Sequence, residues 1–291
     1  MPTYSALTTL PGEAAAQSLA SAMERMAPEP TGVGVFEIED GSGLWEVGGY
    51  FLEPPDDIIL EVLATAFGAK PFALSELPDI DWVAKVRREL APVEAGRFFV
   101  YGSHDADKVP QDPDRVPLQI EATVAFGTGH HGTTLGCLLA FDRLLTAGMR
   151  PATVADIGCG TAVLAMAAAA TLPEARVIAS DIDAVAVEVA VANVAINGLE
   201  GRVRCLEAAG LDHGELLDTR FDLIFANILK GPLIDLAPAI AGQLAPGGRA
   251  ILSGLLVVQA EAVTAAYLEA GLTLESRLDL GEWTCLVLVL R

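Results

Sequence analysis

The chain has 291 residues, 52% of them hydrophobic and 20% charged, with 18 basic against 39 acidic side chains and a formal net charge of −21. That length suits one large domain or two ordinary ones, and the apolar share excludes wholesale disorder. The negative field repels phosphate backbones, so a direct nucleic-acid ligand is not expected, whereas a basic protein or peptide would be attracted; equally, acidity keeps an apolar-rich chain soluble.

In chain order, residues 3–10 read as a strand, punctuated by Pro11-Gly12. Residues 13–26 read as a helix that Pro28 and Pro30 stop. Two β-rich runs, 33–39 and 44–52, flank Asp40-Gly41-Ser42-Gly43, a hairpin signal. Pro54-Pro55-Asp56 opens a helix to about residue 67, and 72–77 reads as a fourth strand. The order β-α-β-β-α-β is that of a small ferredoxin-like α+β domain, expected over residues 1–80. It holds no catalytic cluster and reads as a recognition platform.

Residues 81–117 are expected to be a linker. It would contain a short helix over 81–90, an apolar strand over 98–101 and an exposed stretch rich in Asp and Pro over 103–117. A catalytic domain is expected over 118–291, where strands and helices alternate and predict a parallel sheet covered on both faces. Strands are expected at 153–157, 176–180, 203–207, 221–227 and 249–256, with helices over 161–172, 184–196, 233–244 and 259–270. The last two strands, 273–280 and 284–290, flank Gly281-Glu282 and should form an antiparallel hairpin.

The most informative segment joins the strand ending Asp156-Ile157 to the turn Gly158-Cys159-Gly160, an alanine-rich helix and a second strand that delivers Asp181. Gly158 and Gly160 allow backbone N–H groups at the helix start to approach a ligand closely. Asp181, about twenty positions beyond Gly160, suits a pair of ribose hydroxyls. A dinucleotide also needs a small residue at the third position of G-x-G-x-x-G/A, and Val163 stands there. Asp156 would repel a pyrophosphate and attract the cationic amino group of a methionine moiety, directly or through the turn. The motif therefore favours S-adenosylmethionine over a nicotinamide cofactor. A parallel sheet ending in an antiparallel hairpin is, likewise, the methyltransferase version of the doubly wound α/β fold.

Two further patches fall at the carboxyl ends of strands, where such sheets place their sites. One is the glycine- and threonine-rich run from Ala125 to Thr134, in which Phe126 could lie on an adenine or a substrate alkyl chain. His130 and His131 in the same run could act as a base or be plain loop histidines. The other is Ala226-Asn227-Ile228-Leu229. The Asn227 amide oxygen and the neighbouring carbonyl of Ile228 offer two acceptors to an incoming amine, and two acceptors aim its lone pair. The alternative is a plain strand-end asparagine. Enzymes that methylate planar amides or bases carry N-P-P-Y here; this chain lacks the prolines and the aromatic, which points to a flexible amine such as lysine.

Taken together and in this order, AFGTGHHGTT, DIGCGTAVLA, SDID and ANILKGPL resemble the bacterial methyltransferases of large-subunit ribosomal protein eleven. The resemblance covers nearly the whole chain, although the N-terminal part matches in pattern only. It implies a class I S-adenosylmethionine-dependent methyltransferase fold behind a ferredoxin-like substrate-recognition domain. It also implies cofactor contacts from Thr134, Gly158, Asp181 and Asn227, with methylation of several lysines and the N-terminal amine of one basic ribosomal protein. Three positions depart from the family pattern: Ala162 replaces a third glycine, and Ala122-Thr123 replaces a Pro-Gly pair.

Cys137, Cys159, Cys205 and Cys285 lie far apart with no C-x-x-C, as expected of buried thiols and not of a metal site. No apolar run reaches a bilayer span, and the N-terminus lacks a basic–apolar–small export pattern. A cytoplasmic monomer without membrane contact is expected. Methylation of another protein or a small amine by the same core, and a cofactor-binding module without turnover, remain as alternatives.

Overall fold

The computed structural model describes residues 3–38, 42–77, 92–120 and 131–291. The chain divides into two compact units, residues 1–85 and 86–291. The first contains β1 (Thr3–Pro11), α1 (Glu13–Met23), β2 (Gly32–Glu37), β3 (Leu44–Phe51), α2 (Asp57–Phe67) and β4 (Ala73–Leu77). Its sheet runs β2-β3-β1-β4, with every neighbouring pair antiparallel. This is the ferredoxin-like order, as expected. Helix α1 buries Ala16, Leu19, Ala20 and Met23, the spacing of one helical face, against Leu10, Val47 and Phe51. The Asp56 carboxylate caps α2 by accepting from the N–H groups of Ile58 and Ile59, and Gly68 ends that helix in the left-handed region at φ 65°. The expected turn at Asp40-Gly41 and the expected helix over 81–90 lie outside the described residues.

The linker expectation needs correction. Residues within 93–119 form a small sheet of β5 (Val93–Ala95), β6 (Phe98–Tyr101) and β7 (Val116–Gln119), in that order. Ala95, Phe98 and Leu118 are buried in the core of the second unit. Phe98 stacks on Phe141 with ring centroids 5.7 Å apart, and Phe141 meets the edge of Phe225 at 5.3 Å. Asn197 serves β7 as a surrogate peptide: its amide oxygen accepts from Gln119 N and its amide nitrogen donates to Gln119 O, both at 2.8 Å. Most of the stretch between β6 and β7 keeps the expected exposed character, with Asp105 as a buried exception.

The second unit continues with α3 (His131–Thr146), β8 (Thr153–Ile157), α4 (Val163–Thr171), β9 (Arg176–Asp181), α5 (Ala184–Ile196) and β10 (Val203–Glu207). There follow α6 (Gly214–Leu217), β11 (Phe221–Asn227), α7 (Lys230–Gln243), β12 (Leu244–Leu256), α8 (Ala260–Glu269), β13 (Leu272–Leu280) and β14 (Trp283–Leu290). The seven-stranded sheet runs β10-β9-β8-β11-β12-β14-β13. Only β14 runs against the direction of the other six strands. Alternate residues of one strand enter opposite cores: Leu223 and Phe225 of β11 face one, Ile224 and Ala226 the other. Both faces are therefore sealed. In α4 every residue from Val163 to Ala169 is buried, which explains why its sequence is nearly all small and apolar. Helix α7 begins three residues before its expected start, and the four-residue α6 was not anticipated.

Candidate active site

With both faces sealed, the sheet offers chemistry only at its strand ends. Between β8 and α4 the backbone turns through Gly158 (φ 66°), Gly160 (φ 51°) and Ala162 (φ 60°). Ala162 is the one non-glycine residue with positive φ among the described residues, so alanine at the third position preserves a glycine-like backbone there. The Gly160 N–H donates to Asp181 Oδ2 at 2.9 Å, and the Asp183 N–H donates to Asp181 Oδ1 at 3.1 Å. Asp181 thus ties the turn to the tip of β9. Each of its oxygens accepts one such bond, which leaves further lone-pair capacity for a ligand hydroxyl. Asp183 caps α5 through Val185 N, and Asn193 of α5 donates to Thr161 O at 3.2 Å, bracing the turn from the helix side.

Asp156 lies beneath the turn, 1% exposed. Its Oδ2 accepts from the N–H of Ala165, in the first turn of α4, at 3.0 Å. Burial pushes this carboxyl up to about 7, nearby Asp181 adds to the rise, and the bond from Ala165 opposes it. A buried acid at the edge of ionisation gains from a cation placed above the turn. The Cys159 thiol, buried in the same turn, is raised well beyond its ordinary range, chiefly by burial. It is no nucleophile.

Ile228 follows the tip of β11. A Cβ at Gly158 would stand 2.3 Å from Ile228 Cγ2, so the glycine is required by close approach as well as by φ. Asn227 pairs in register with Ser253 of β12, and its predecessor Ala226 with Ile157 of β8. The structure therefore brings Asp156, Gly158, Gly160, Asp181 and the Asn227-Ile228 tip together. Thr134 stands half-buried in the first turn of α3, whose Gly132 lies close against the Trp283 ring. Phe126 and His130 lie outside the described residues, as does the side chain of His131. Asn193 and Gly254 also belong to this neighbourhood. Sequence reasoning passed over both, since a helical asparagine and a strand glycine carry no motif of their own.

The sheet order, the single antiparallel strand and a glycine turn tied to an acid at the next strand tip define a class I methyltransferase. Comparison with known proteins gives the family. A model of the ribosomal protein L11 methyltransferase (PrmA) family matches residues 23–291. A protein of that name from Bradyrhizobium diazoefficiens is 43% identical over 99% of this chain and 97% of its own length. One from Brucella suis is 43% identical over 87% of this chain and 88% of its own. A solved ribosomal protein L11 methylase from Lactobacillus delbrueckii superposes with a TM-score of 0.60 at 29% identity, covering 68% of this chain and 97% of that one. This chain belongs to the ribosomal protein L11 methyltransferase family. It is an S-adenosylmethionine-dependent protein methyltransferase.

Proposed function

We propose that this chain methylates lysine side-chain amines and the N-terminal amine of ribosomal protein L11, with Asn227 and Ile228 at the point of transfer. S-adenosylmethionine supplies an electrophilic methyl group next to a sulfonium. The chain's own residues supply position. Gly158 and Gly160 present backbone N–H groups at the turn, Asp156 favours the cationic amino group through the turn, and Asp181 accepts from ribose hydroxyls. Phe126 and Thr134 are the further cofactor contacts this reading includes. The Asn227 amide oxygen and the Ile228 carbonyl accept from the incoming amine and turn its lone pair toward the donor. An ammonium has no lone pair to offer, and desolvation at the strand tips favours its neutral form, so it sheds its proton to water on entry.

One observation carries the placement. Ile228 packs directly on Gly158, and this supports reading the Asn227-Ile228 tip as amine acceptors beside the cofactor turn. Residues 1–80 act as the recognition platform. Their exposed large side chains include Phe36, Leu52, Ile58 and Val62. Beside α2, a groove of about 490 Å³ is lined by Leu60, Ala64 and Phe72 together with Asp57 and Glu61. Apolar walls with acidic residues suit a basic ribosomal protein. Among the described residues no helix is long and apolar enough to cross a membrane. The reading includes a monomer working in the cytoplasm without direct nucleic-acid contact. The test compares purified L11 with a panel of unrelated basic proteins and small amines. Transfer restricted to L11 is expected, and equal transfer across the panel would contradict it.

A further inference from the structure

The carboxyl end of β12 carries a residue that no motif marks. Gly254 has φ 84°, and a Cβ on it would stand 2.4 Å from the Ile228 carbonyl oxygen and 2.8 Å from that residue's backbone carbon and nitrogen. All three are backbone atoms, so no rotamer change could relieve the overlap. The pairing of β12 with β14 loses register between Leu252 and Leu255, where Ser253 and Gly254 interrupt the ladder. Such bulges re-aim a strand beside a site. The Ser253 hydroxyl, fully buried, donates to Thr284 O at 3.0 Å and holds the irregularity in place. On its other side Ile228 presses its Cγ2 on Gly158. Ile228 is therefore held between two glycines, one meeting its side chain and the other its backbone.

We propose that Gly254 is a positioning residue for methyl transfer: its bare Cα lets the Ile228 peptide lie against β12 and so fixes the direction of the Ile228 carbonyl and of Asn227. The proposal rests on the reading of Asn227 and Ile228 as amine acceptors. Gly254 reaches no reacting group. It acts through the peptide that it abuts. Any side chain at this position displaces the Ile228 backbone directly, whereas the glycine turn meets only the Ile228 side chain, which can adjust at Cγ2. The damage therefore falls on turnover and spares cofactor binding.

The test measures turnover on L11 at saturating cofactor, calorimetric affinity for S-adenosylhomocysteine, and the thermal midpoint. It uses the full chain as wild type, Gly254→Ala, Gly271→Ala and Asn227→Ala. Gly271 has φ 94°, and a Cβ there meets nothing within 4 Å. Gly271→Ala thus imposes left-handed backbone strain without a collision. A displacement of about 1 Å at a reacting group costs on the order of a hundredfold, and a loss approaching that is expected for Gly254→Ala with affinity retained. Gly271→Ala should lower the midpoint and keep its turnover. Wild-type turnover in Gly254→Ala, or a fall matched by lost affinity, overturns the proposal, while impaired Asn227→Ala leaves the underlying reading standing. Undiminished turnover in Asn227→Ala overturns both. Should Gly254→Ala not fold, Ser253→Ala decides, since it releases the bond to Thr284. A several-fold fall in turnover at unchanged affinity supports the proposal, and wild-type turnover overturns it.

Discussion

The two larger sheets of this protein are built on opposite plans. In the first unit, β2 and β4 are edge strands, exposed or half-buried over residues 32–37 and 73–76, and Phe36, Tyr50 and Leu74 remain open to solvent. In the second, β8 and β11 are buried on both faces, and alternate side chains enter separate cores. A sheet open on its surface can meet another protein broadly. A sheet sealed on both faces can meet a ligand only at its ends, and there the chain places the glycine turn, Asp181 and Asn227. Breadth suits recognition, and strand tips suit chemistry because each tip is held by a rigid strand behind it.

The largest effect that would break this division follows from the corrected boundary. A chain beginning at Val86 keeps β5 to β7 and should fold, bind cofactor and methylate L11 with a much lower kcat/KM. A chain beginning at Arg115 loses Phe98 from its stack on Phe141. Removing a buried Phe side chain alone costs about 3–5 kcal/mol, so denaturant unfolding should show the shorter chain far less stable. Equal stability of the two would mean that the small sheet is a linker after all. Equal kcat/KM for the Val86 chain and the full chain would refute the platform.

Next in size is the loss of the proposed amine acceptor. Asn227→Ala retains the strand and the Ile228 carbonyl, and misplacement by about 1 Å lowers turnover on the order of a hundredfold. Asn227→Asp keeps an acceptor but adds a charge that holds the amine as ammonium. Its turnover should recover in part as pH rises, whereas a flat pH–rate profile would count against the lone-pair account.

Asp181→Ala acts on the cofactor side. It removes the acceptor for Gly160 N and Asp183 N and, on the proposed reading, for a ribose. Hydrogen bonds to a charged group contribute about 1.5–3 kcal/mol each, so calorimetry should show cofactor affinity weakened by roughly tenfold or more. Unchanged affinity would remove Asp181 from the site.

The smallest effect sharpens the electrostatics of the buried end. Folded Asp156 holds its proton to about 7, against an ordinary value of 3.8. Between those values the folded chain binds the extra proton, so this group's contribution to stability is complete below the lower value and is lost as pH rises through the upper one. Compared with Asp156→Asn, the cofactor-free wild type should lose stability across that interval, as thermal midpoints at several pH values would show. Cofactor affinity should move the other way, rising as Asp156 ionises beneath the cationic amino group. Parallel curves for wild type and variant would contradict the raised carboxyl.

Much of this was legible in the sequence because the governing signals are local. The alternation of apolar strands and amphipathic or small-residue helices, the turn glycines and the acid at the tip of β9 all lie within short windows. Helix α5 was read at its observed ends, 184 and 196. What escaped depends on contacts far along the chain. β5 and β7 have three and four residues, too few for a period, and an Asp- and Pro-rich stretch beside β7 masks them. Asn197 completes β7 from 78 positions away. Ala162 adopts a left-handed conformation that its residue type disfavours, because the turn is fixed by Asp181 and Asn193 around it. Gly254 is required only because the Ile228 backbone arrives from another strand.

The most direct test of the claim that transfer occurs at the tips of the sealed sheet is intact-mass spectrometry of purified L11 after incubation with the full chain and S-adenosylmethionine. Wild type should add successive methyl masses that peptide mapping places on lysines and the N-terminal amine, and Asn227→Ala, folded and binding cofactor, should add almost none. Equal methylation by both proteins would contradict the account.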